Sequence, residues 1–346
     1  MPDQSPNRPV TYCLIDGYAE IFRSFYAIRR PLYSPVTGEA TQAVLIFAQS
    51  LLKLLSAVKP DYIVVALDPF GKTFRDELYK QYAPDTLVEP LPEPNLGVEV
   101  PMPAGEEESL ESSGEETVPV PTYKGTRRAT PDSLSQQIPR ILELLQLFNI
   151  PVIECPGMEA DDVIATLTDR ILRGADAEDL HVCIVSPDKD LEQLIVDGNR
   201  RVTLYSISSG TETDTEAVIS KRGITPAQIV DFLSLTGYVV DNIPGVPGIG
   251  ARTAAKLLQR YGSLEGIQEN LPEIEARWRE RLEEGFRVQI PLSKRLITLE
   301  RNADVRFEME GSRVEAPQVA ELDRFFETLG FTRLRQQLKE VSGETR

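Results

Sequence analysis

Only one histidine occurs in the 346 residues, His181, and no second imidazole is available to share a site with it. That argues against a Ser-His-Asp triad and against a His-rich zinc site. Cysteine is nearly as scarce. Cys13, Cys155 and Cys183 are odd in number, far apart, and each in or beside an apolar run. This predicts buried free thiols in a reducing compartment rather than a disulfide framework. No apolar run approaches the roughly 20 residues that span a bilayer. The opening residues, MPDQSPNRPV, lack a basic segment followed by an apolar one, so no secretion signal is read there. Any chemistry is left to carboxylates, and the sequence holds 54 Asp and Glu.

A hydrophobic fraction of 41% and a charged fraction of 26% are ordinary for a globular chain. The length allows one large α/β domain and a smaller one. A formal net charge of −17 argues against a nucleic-acid partner until its distribution is read. Residues 84–122 hold ten acids, no Lys or Arg, and eight prolines; without them the charge is −7. Such a segment buries too little apolar surface to offset chain entropy, which predicts a disordered insertion. It lies inside the first domain, because basic, foldable sequence flanks it on both sides.

Elsewhere strands and helices alternate. Tyr12–Ile15 and Tyr62–Leu67 are β-rich apolar runs, ending at Asp16 and Asp68. Thr41–Val58 and Leu134–Phe148 have helical spacing. A short strand at Val152–Glu154 precedes a helix beginning near Asp161, and His181–Val185 is a strand before Asp188. Continuous Val/Ile runs separated by helices predict a parallel sheet covered on both faces, an α/β fold. From about Ile224 the texture changes to short helices joined by glycine turns.

Ligands of open parallel sheets bind beyond the carboxyl ends of the strands. The acids fall there. Asp16 and Asp68 close two strands, Asp188 and Asp190 follow a third, and Glu159, Asp161 and Asp162 lie at the turn after Glu154. Any one of them alone reads as an ordinary turn or helix-capping residue. Seven converging on one edge repel one another unless cations lie between them, which implies Mg²⁺ or Mn²⁺. Two such ions roughly 4 Å apart suit phosphoryl displacement. Gly245, Gly248 and Gly250 permit a tight hairpin before a helix carrying Arg252 and Lys256, either a plain connecting turn or a phosphate-facing one. Lys72, Arg75, Lys80, Lys124, Arg127 and Arg128 flank the acidic insertion and suit a phosphate backbone.

These residues resemble the 5′-3′ exonuclease domain of bacterial DNA polymerase I, in the flap-endonuclease superfamily with its PIN-like fold. The resemblance runs from about Tyr12 to Arg306, apart from the insertion. It rests on Leu14-Ile15-Asp16-Gly17, the Asp68 strand end, Thr73-Phe74-Arg75, and Tyr123-Lys124-Gly125-Thr126-Arg127 before Pro131. Glu159-Ala160-Asp161-Asp162-Val163, Asp188-Lys189-Asp190-Leu191 and Asp241-Asn242-Ile243-Pro244-Gly245-Val246 complete it.

The resemblance implies a PIN-like parallel-sheet nuclease domain with a helical arch (1–205), a helical helix-hairpin-helix DNA-binding domain (206–310) and a C-terminal helical extension (311–346). It implies two Mg²⁺ or Mn²⁺ ions. Asp16, Asp68, Glu159 and Asp161 would hold the first, supported by Asp162 and Asp188, while Asp190 and Asp241 would serve the second. Arg75, Lys124 and Arg127 match the arch, with Lys124 steering the scissile phosphate beside Arg75; the hairpin would grip duplex DNA and take K⁺. The expected reaction is hydrolysis at a 5′ end or 5′ flap of nicked or 5′-ended DNA, or at RNA–DNA primer junctions, leaving 5′-phosphate. The expected setting is replication and repair in the cytoplasm at the nucleoid, by a monomer with a polymerase partner. A stand-alone nuclease and a fragment of a longer protein both stay open.

Two departures matter. Relatives carry an acid after Thr-Gly where this chain has Tyr238, and the acidic insertion falls inside the arch, where it could repel DNA, mimic it or loop away. A rival reading is therefore a DNA-structure-binding protein with impaired catalysis. A second is an RNA-directed PIN-like nuclease, which would not need the glycine hairpin.

Overall fold

The computed structural model describes residues 8–86, 123–124 and 130–342. The expected insertion beyond residue 86, and with it Arg127 and Arg128, lies outside the described residues.

Runs of apolar and β-branched residues build one sheet. Its strands are β1 (Val10–Asp16), β2 (Tyr62–Leu67), β3 (Val152–Glu154), β4 (Leu180–Val185), β5 (Arg200–Ser206) and β6 (Thr211–Thr213). The order is β3-β2-β1-β4-β5-β6. The first five are parallel neighbours, and β6 runs antiparallel to β5. β2 and β4 are buried along their whole length, as expected of strands covered on both faces. From β1 the chain proceeds outward to β2 and β3, then returns past β1 to β4. The crevice at that reversal opens beyond the carboxyl ends of β1 and β4.

Helices follow in the order α1 (Gly17–Tyr26), α2 (Gln42–Val58), α3 (Phe74–Thr86), α4 (Asp132–Ser135), α5 (Ile138–Leu147), α6 (Ala160–Gly174) and α7 (Thr215–Arg222). A helical region continues with α8 (Ile229–Thr236), α9 (Ala251–Tyr261), α10 (Leu264–Glu269), α11 (Ala276–Arg287) and α12 (Gln289–Ile297). The chain closes with α13 (Val319–Thr328) and α14 (Thr332–Ser342).

Strand alternation divides the interior into two cores. Leu14, Val64 and Ile184 face α6 and the helical region. Cys13, Ile15, Val65 and Cys183 face α1, α2 and α5. All three cysteines are buried and free. Two expected boundaries move. The sheet continues past residue 205 to Thr213, and α13–α14 return to the second core, where Leu322, Phe326 and Leu334 are fully enclosed. The C-terminal segment is part of the first domain's interior, not an appendage. Among the described residues no helix is long and apolar enough to cross a membrane.

Candidate active site

Each strand end delivers its acid for a local reason. Asp16 ends β1 and caps α1, its Oδ1 accepting from Ala19 N at 3.2 Å. Its Oδ2 accepts from Ser186 Oγ at 2.8 Å, and the same Oγ accepts from Asp188 N at 3.0 Å. Ser186 thus joins the ends of β1 and β4, a role that no charge or motif in the sequence announces. Asp68, just after β2, accepts from Ala160 N at 2.8 Å, fastening the positive end of α6 to the crevice. Asp188 Oδ1 accepts from Asp190 N at 3.1 Å. Asp241 comes from the helical region, immediately after α8, and is buried.

These carboxyls disturb one another. Burial first, then Asp68 and Asp188, push the Asp16 carboxyl up to about 7. Burial, then Asp16, Asp188 and Asp68, raise Asp161 well above the usual range. Asp190 is raised likewise, by burial and then by Asp188 and Asp241. Asp188 therefore adjoins two groups, one with Asp16, Asp68 and Asp161, the other with Asp190 and Asp241. Buried Oδ1 atoms of Asp161 and Asp190 have no hydrogen-bond partner among the described residues.

Two of the expected ligands are engaged otherwise. Asp162 is fully buried, with both oxygens occupied by the Arg75 guanidinium and by the backbone N–H groups of Glu159 and Glu300. It has no lone pair left over for an ion. Glu159 accepts from Thr73 Oγ1 at 3.3 Å and Tyr123 OH at 3.2 Å, and pairs with Lys124 Nζ at 2.8 Å. Although burial acts to raise it, Lys124 and Arg75 hold the Glu159 carboxyl below its usual range. Thr73 and Arg75 precede the insertion and Tyr123 and Lys124 follow it, so Glu159 gathers both of its flanks.

Arg75 corrects a further expectation. It is 1% exposed, and Nε donates to Leu296 O at 2.7 Å while Nη2 donates to Asp162 at 2.8 Å and Thr298 O at 3.2 Å. With its donors spent on α6 and the end of α12, it faces no solvent and cannot meet a phosphate. It ties the sheet domain to the helical region. Lys72 is exposed, and Lys124 is partly so, with its backbone N–H bonded to Asp241 O at 3.1 Å.

In the hairpin, Gly245 packs on Gly237 backbone so closely that a Cβ would lie 2.3 Å from Gly237 N. Gly248, at φ +76, and Gly250, which caps α9, are exposed beside exposed Arg252 and Lys256. A cavity of about 500 Å³ there is lined by Arg252, Lys256, Lys221 and Arg222 among others. The last two lie on α7, outside the hairpin motif, and only the fold brings them to it.

Among the described residues, no three His, Cys, Asp or Glu side chains stand close enough together to hold an ion. The donor chemistry nevertheless fits a hard divalent cation. The oxygens are carboxylate, two are buried without partners, and their mutual repulsion is the kind that a bound cation relieves. Binding one requires side-chain adjustment within the cluster.

The 5′-3′ exonuclease N-terminal resolvase-like domain model matches residues 11–89 and 115–223, and the 5′-3′ exonuclease C-terminal SAM fold model matches 224–320. DNA polymerase I of Bacillus subtilis is 34% identical over 333 residues, covering 96% of this chain but only 32% of that protein. A 5′-3′ exonuclease of Aquifex aeolicus is 31% identical, covering 96% of this chain and 95% of the relative. The chain thus spans about a third of the polymerase relatives and nearly all of the Aquifex protein. T5 5′-exonuclease, in a structure with divalent zinc ions bound, superposes with a TM-score of 0.58 at 19% identity, covering 84% of this chain and 90% of that one. The catalytic core of Rad2 in complex with DNA substrate gives 0.53 at 14%, covering 93% and 88%. At such identities these two speak for the fold. The two domain models, and the Aquifex relative matched over nearly its whole length, establish that this chain belongs to the 5′-3′ exonuclease family.

Proposed function

We propose that this chain hydrolyses phosphodiester bonds in DNA at 5′ ends and 5′ flaps, with divalent cations at the switch-point carboxylates. The observation that carries this reading is the gathering of Asp16, Asp68, Asp161, Asp188, Asp190 and Asp241 around one crevice, with buried Asp161 and Asp190 oxygens lacking partners. Asp16, Asp68 and Asp161 would hold one Mg²⁺ or Mn²⁺, and Asp190 and Asp241 a second, with Asp188 serving both. Bound ions supply a water activated for attack and neutralise charge on the phosphoryl oxygens. No protein nucleophile is required.

Lys124 would steer the phosphate. Its ammonium sits on Glu159, and exchanging that partner for a phosphate oxygen would bring the cation to the substrate. Duplex DNA would lie on the exposed face of the hairpin and α9, held by Arg252, Lys256 and Lys221, with Lys72 beside the crevice. K⁺ at the hairpin, action on RNA–DNA primer junctions, a polymerase partner, a monomeric state and a cytoplasmic, nucleoid setting complete the reading.

A labelled 5′-flap duplex incubated with protein and Mg²⁺ tests it. Shortened 5′-phosphate products are expected from the intact protein, and none from Asp161→Ala or Asp68→Ala. Binding of the flap without Mg²⁺-dependent cleavage would instead establish the rival, a structure-binding protein with impaired catalysis.

A further inference from the structure

Tyr238 is buried at the turn after α8, yet its hydroxyl reaches back across the crevice and donates to Asp188 Oδ1 at 2.9 Å. The phenol lies within the electrostatic reach of Asp188, Asp190 and Asp241 together. A phenol is ordinarily neutral, so its O–H donates to a carboxylate and adds no negative charge. Its backbone is fixed by paired hydrogen bonds with Ile243 in both directions, each of 2.9 Å. Asp188 is the carboxylate that both groups share. One of its oxygens is thereby committed to two donors, the Tyr238 hydroxyl and Asp190 N.

We infer that Tyr238 is a positioning residue that weakens one of the two cation sites: it clamps Asp188 toward the helical region and places a neutral donor, in place of an anionic ligand, beside Asp190 and Asp241. Three carboxylates flank Asp188 on the Asp16–Asp68–Asp161 side, where Asp16 and Asp68 also accept hydrogen bonds. On the other side Asp190 and Asp241 flank it, and the residue that fills the remaining space adds a neutral donor and no charge. A hydroxyl proton directed at a carboxylate oxygen competes with a cation for the same lone pair. The chain therefore binds its two ions unequally.

This inference rests on the proposed reading of the crevice as a divalent-cation site, and one titration separates the two claims. Metal-free protein is titrated with Mn²⁺, following loss of the free-ion electron paramagnetic resonance signal and, in parallel, heat. The intact protein is expected to take up one ion tightly and a second at least about tenfold more weakly. Y238F removes the competing hydroxyl with almost no change in shape, and should tighten the second phase several-fold while moving the first, which has three further carboxylates, by less. Y238E adds a carboxylate and should tighten it further; if that substitution unfolds the chain, the phenylalanine variant decides alone. Two equal phases in the intact protein, or a second phase that Y238F leaves unchanged, overturns the inference. D161A is the control for the underlying reading. It should abolish the tight phase, and unchanged Mn²⁺ uptake in D161A would defeat the cation-site reading itself.

Discussion

Arg75 and Lys124 are both basic residues beside the same acidic insertion, and folding gives them opposite fates. Lys124 keeps partial access to the crevice, while Arg75 is enclosed by Asp162, Glu159 and two carbonyls at the end of α12. Those partners lie 84 to 223 positions away along the chain, which is why no local pattern distinguishes the two. Arg75→Ala leaves Asp162 buried beside no counter-charge, so urea unfolding should show a loss of about 3–5 kcal/mol. In a double-mutant cycle, Arg75→Met with Asp162→Leu should cost clearly less than the two single losses added together. The strand-end acids are legible for the opposite reason. Each closes a continuous apolar run, so position within a strand alone aims it at the crevice. His181 offers a test remote from that chemistry. It is enclosed between Thr203, 2.7 Å from Nε2, and Arg201, and burial, reinforced by Arg201, lowers it to about 4. A folded value below the unfolded one means that its contribution is complete above about pH 6.5 and is lost as pH falls through 4. The loss amounts to about 3 kcal/mol. Because the chain has one imidazole, its NMR titration is unambiguous. A midpoint near 6.5 in the folded protein would refute the assignment, and His181→Gln should flatten this part of the acid dependence.

Elements were readable where burial covers both faces. β1, β2 and β4 announce themselves as apolar runs, whereas β5 opens with Arg200 and Arg201, whose side chains reach carbonyls and His181 instead of a core. β6 exists only as a partner for β5 and has no apolar pattern of its own. The helix-hairpin-helix was legible as glycine chemistry, but its glycines differ in what they do. Gly245 is needed for close packing, since a Cβ would strike Gly237 N at 2.3 Å and Thr236 O at 2.6 Å. A Cβ on Gly250 meets nothing within 4 Å, and its backbone is extended, at φ −86. Gly245→Ala is therefore expected to lower stability by about 1–3 kcal/mol through overpacking. Gly250→Ala should change stability by at most about 1 kcal/mol, while its methyl obstructs approach of a phosphate to the start of α9. Thermal melts and duplex-DNA titrations on the two variants separate these roles. A Gly250→Ala protein with undiminished duplex affinity would remove that end of α9 from the proposed DNA surface.

At the scale of the whole molecule, the C-terminal segment completes the first domain from the far end of the chain. α13 and α14 lay Leu322, Phe325, Phe326, Leu329, Phe331, Leu334 and Leu338 into the core that also holds Ile21, Val44, Phe47 and Ile141. Gln318 N bonds to Leu147 O at 2.9 Å, and Ser34 Oγ to Thr328 O at 3.1 Å, so the contact is also fixed through backbone groups. Sequence alone shows an amphipathic tail; it does not show which face of which domain receives it. The helical region shares the other core with the sheet domain and adds polar contacts around Arg75, Gln193 and Asp162. Burying an apolar side chain of this size contributes about 1.5–3 kcal/mol, so seven contribute on the order of 10–20 kcal/mol. Whole domains are stable by only about 5–15 kcal/mol. Deleting residues 318–346 should therefore prevent the sheet domain from folding, even though the deletion touches none of the crevice carboxylates. The Arg335 ion pairs with Asp323 and Glu327 are the counter-example on the same hairpin, partly exposed and screened by solvent. Circular dichroism and limited proteolysis of the truncated chain, beside Phe326→Ala at an expected loss of about 3–5 kcal/mol and Arg335→Ala with a much smaller effect, check the ordering. A truncated protein that still melts cooperatively near the intact temperature would mean that the sheet and α1, α2 and α5 suffice, and that the returning hairpin is dispensable to the fold that presents the carboxylate crevice.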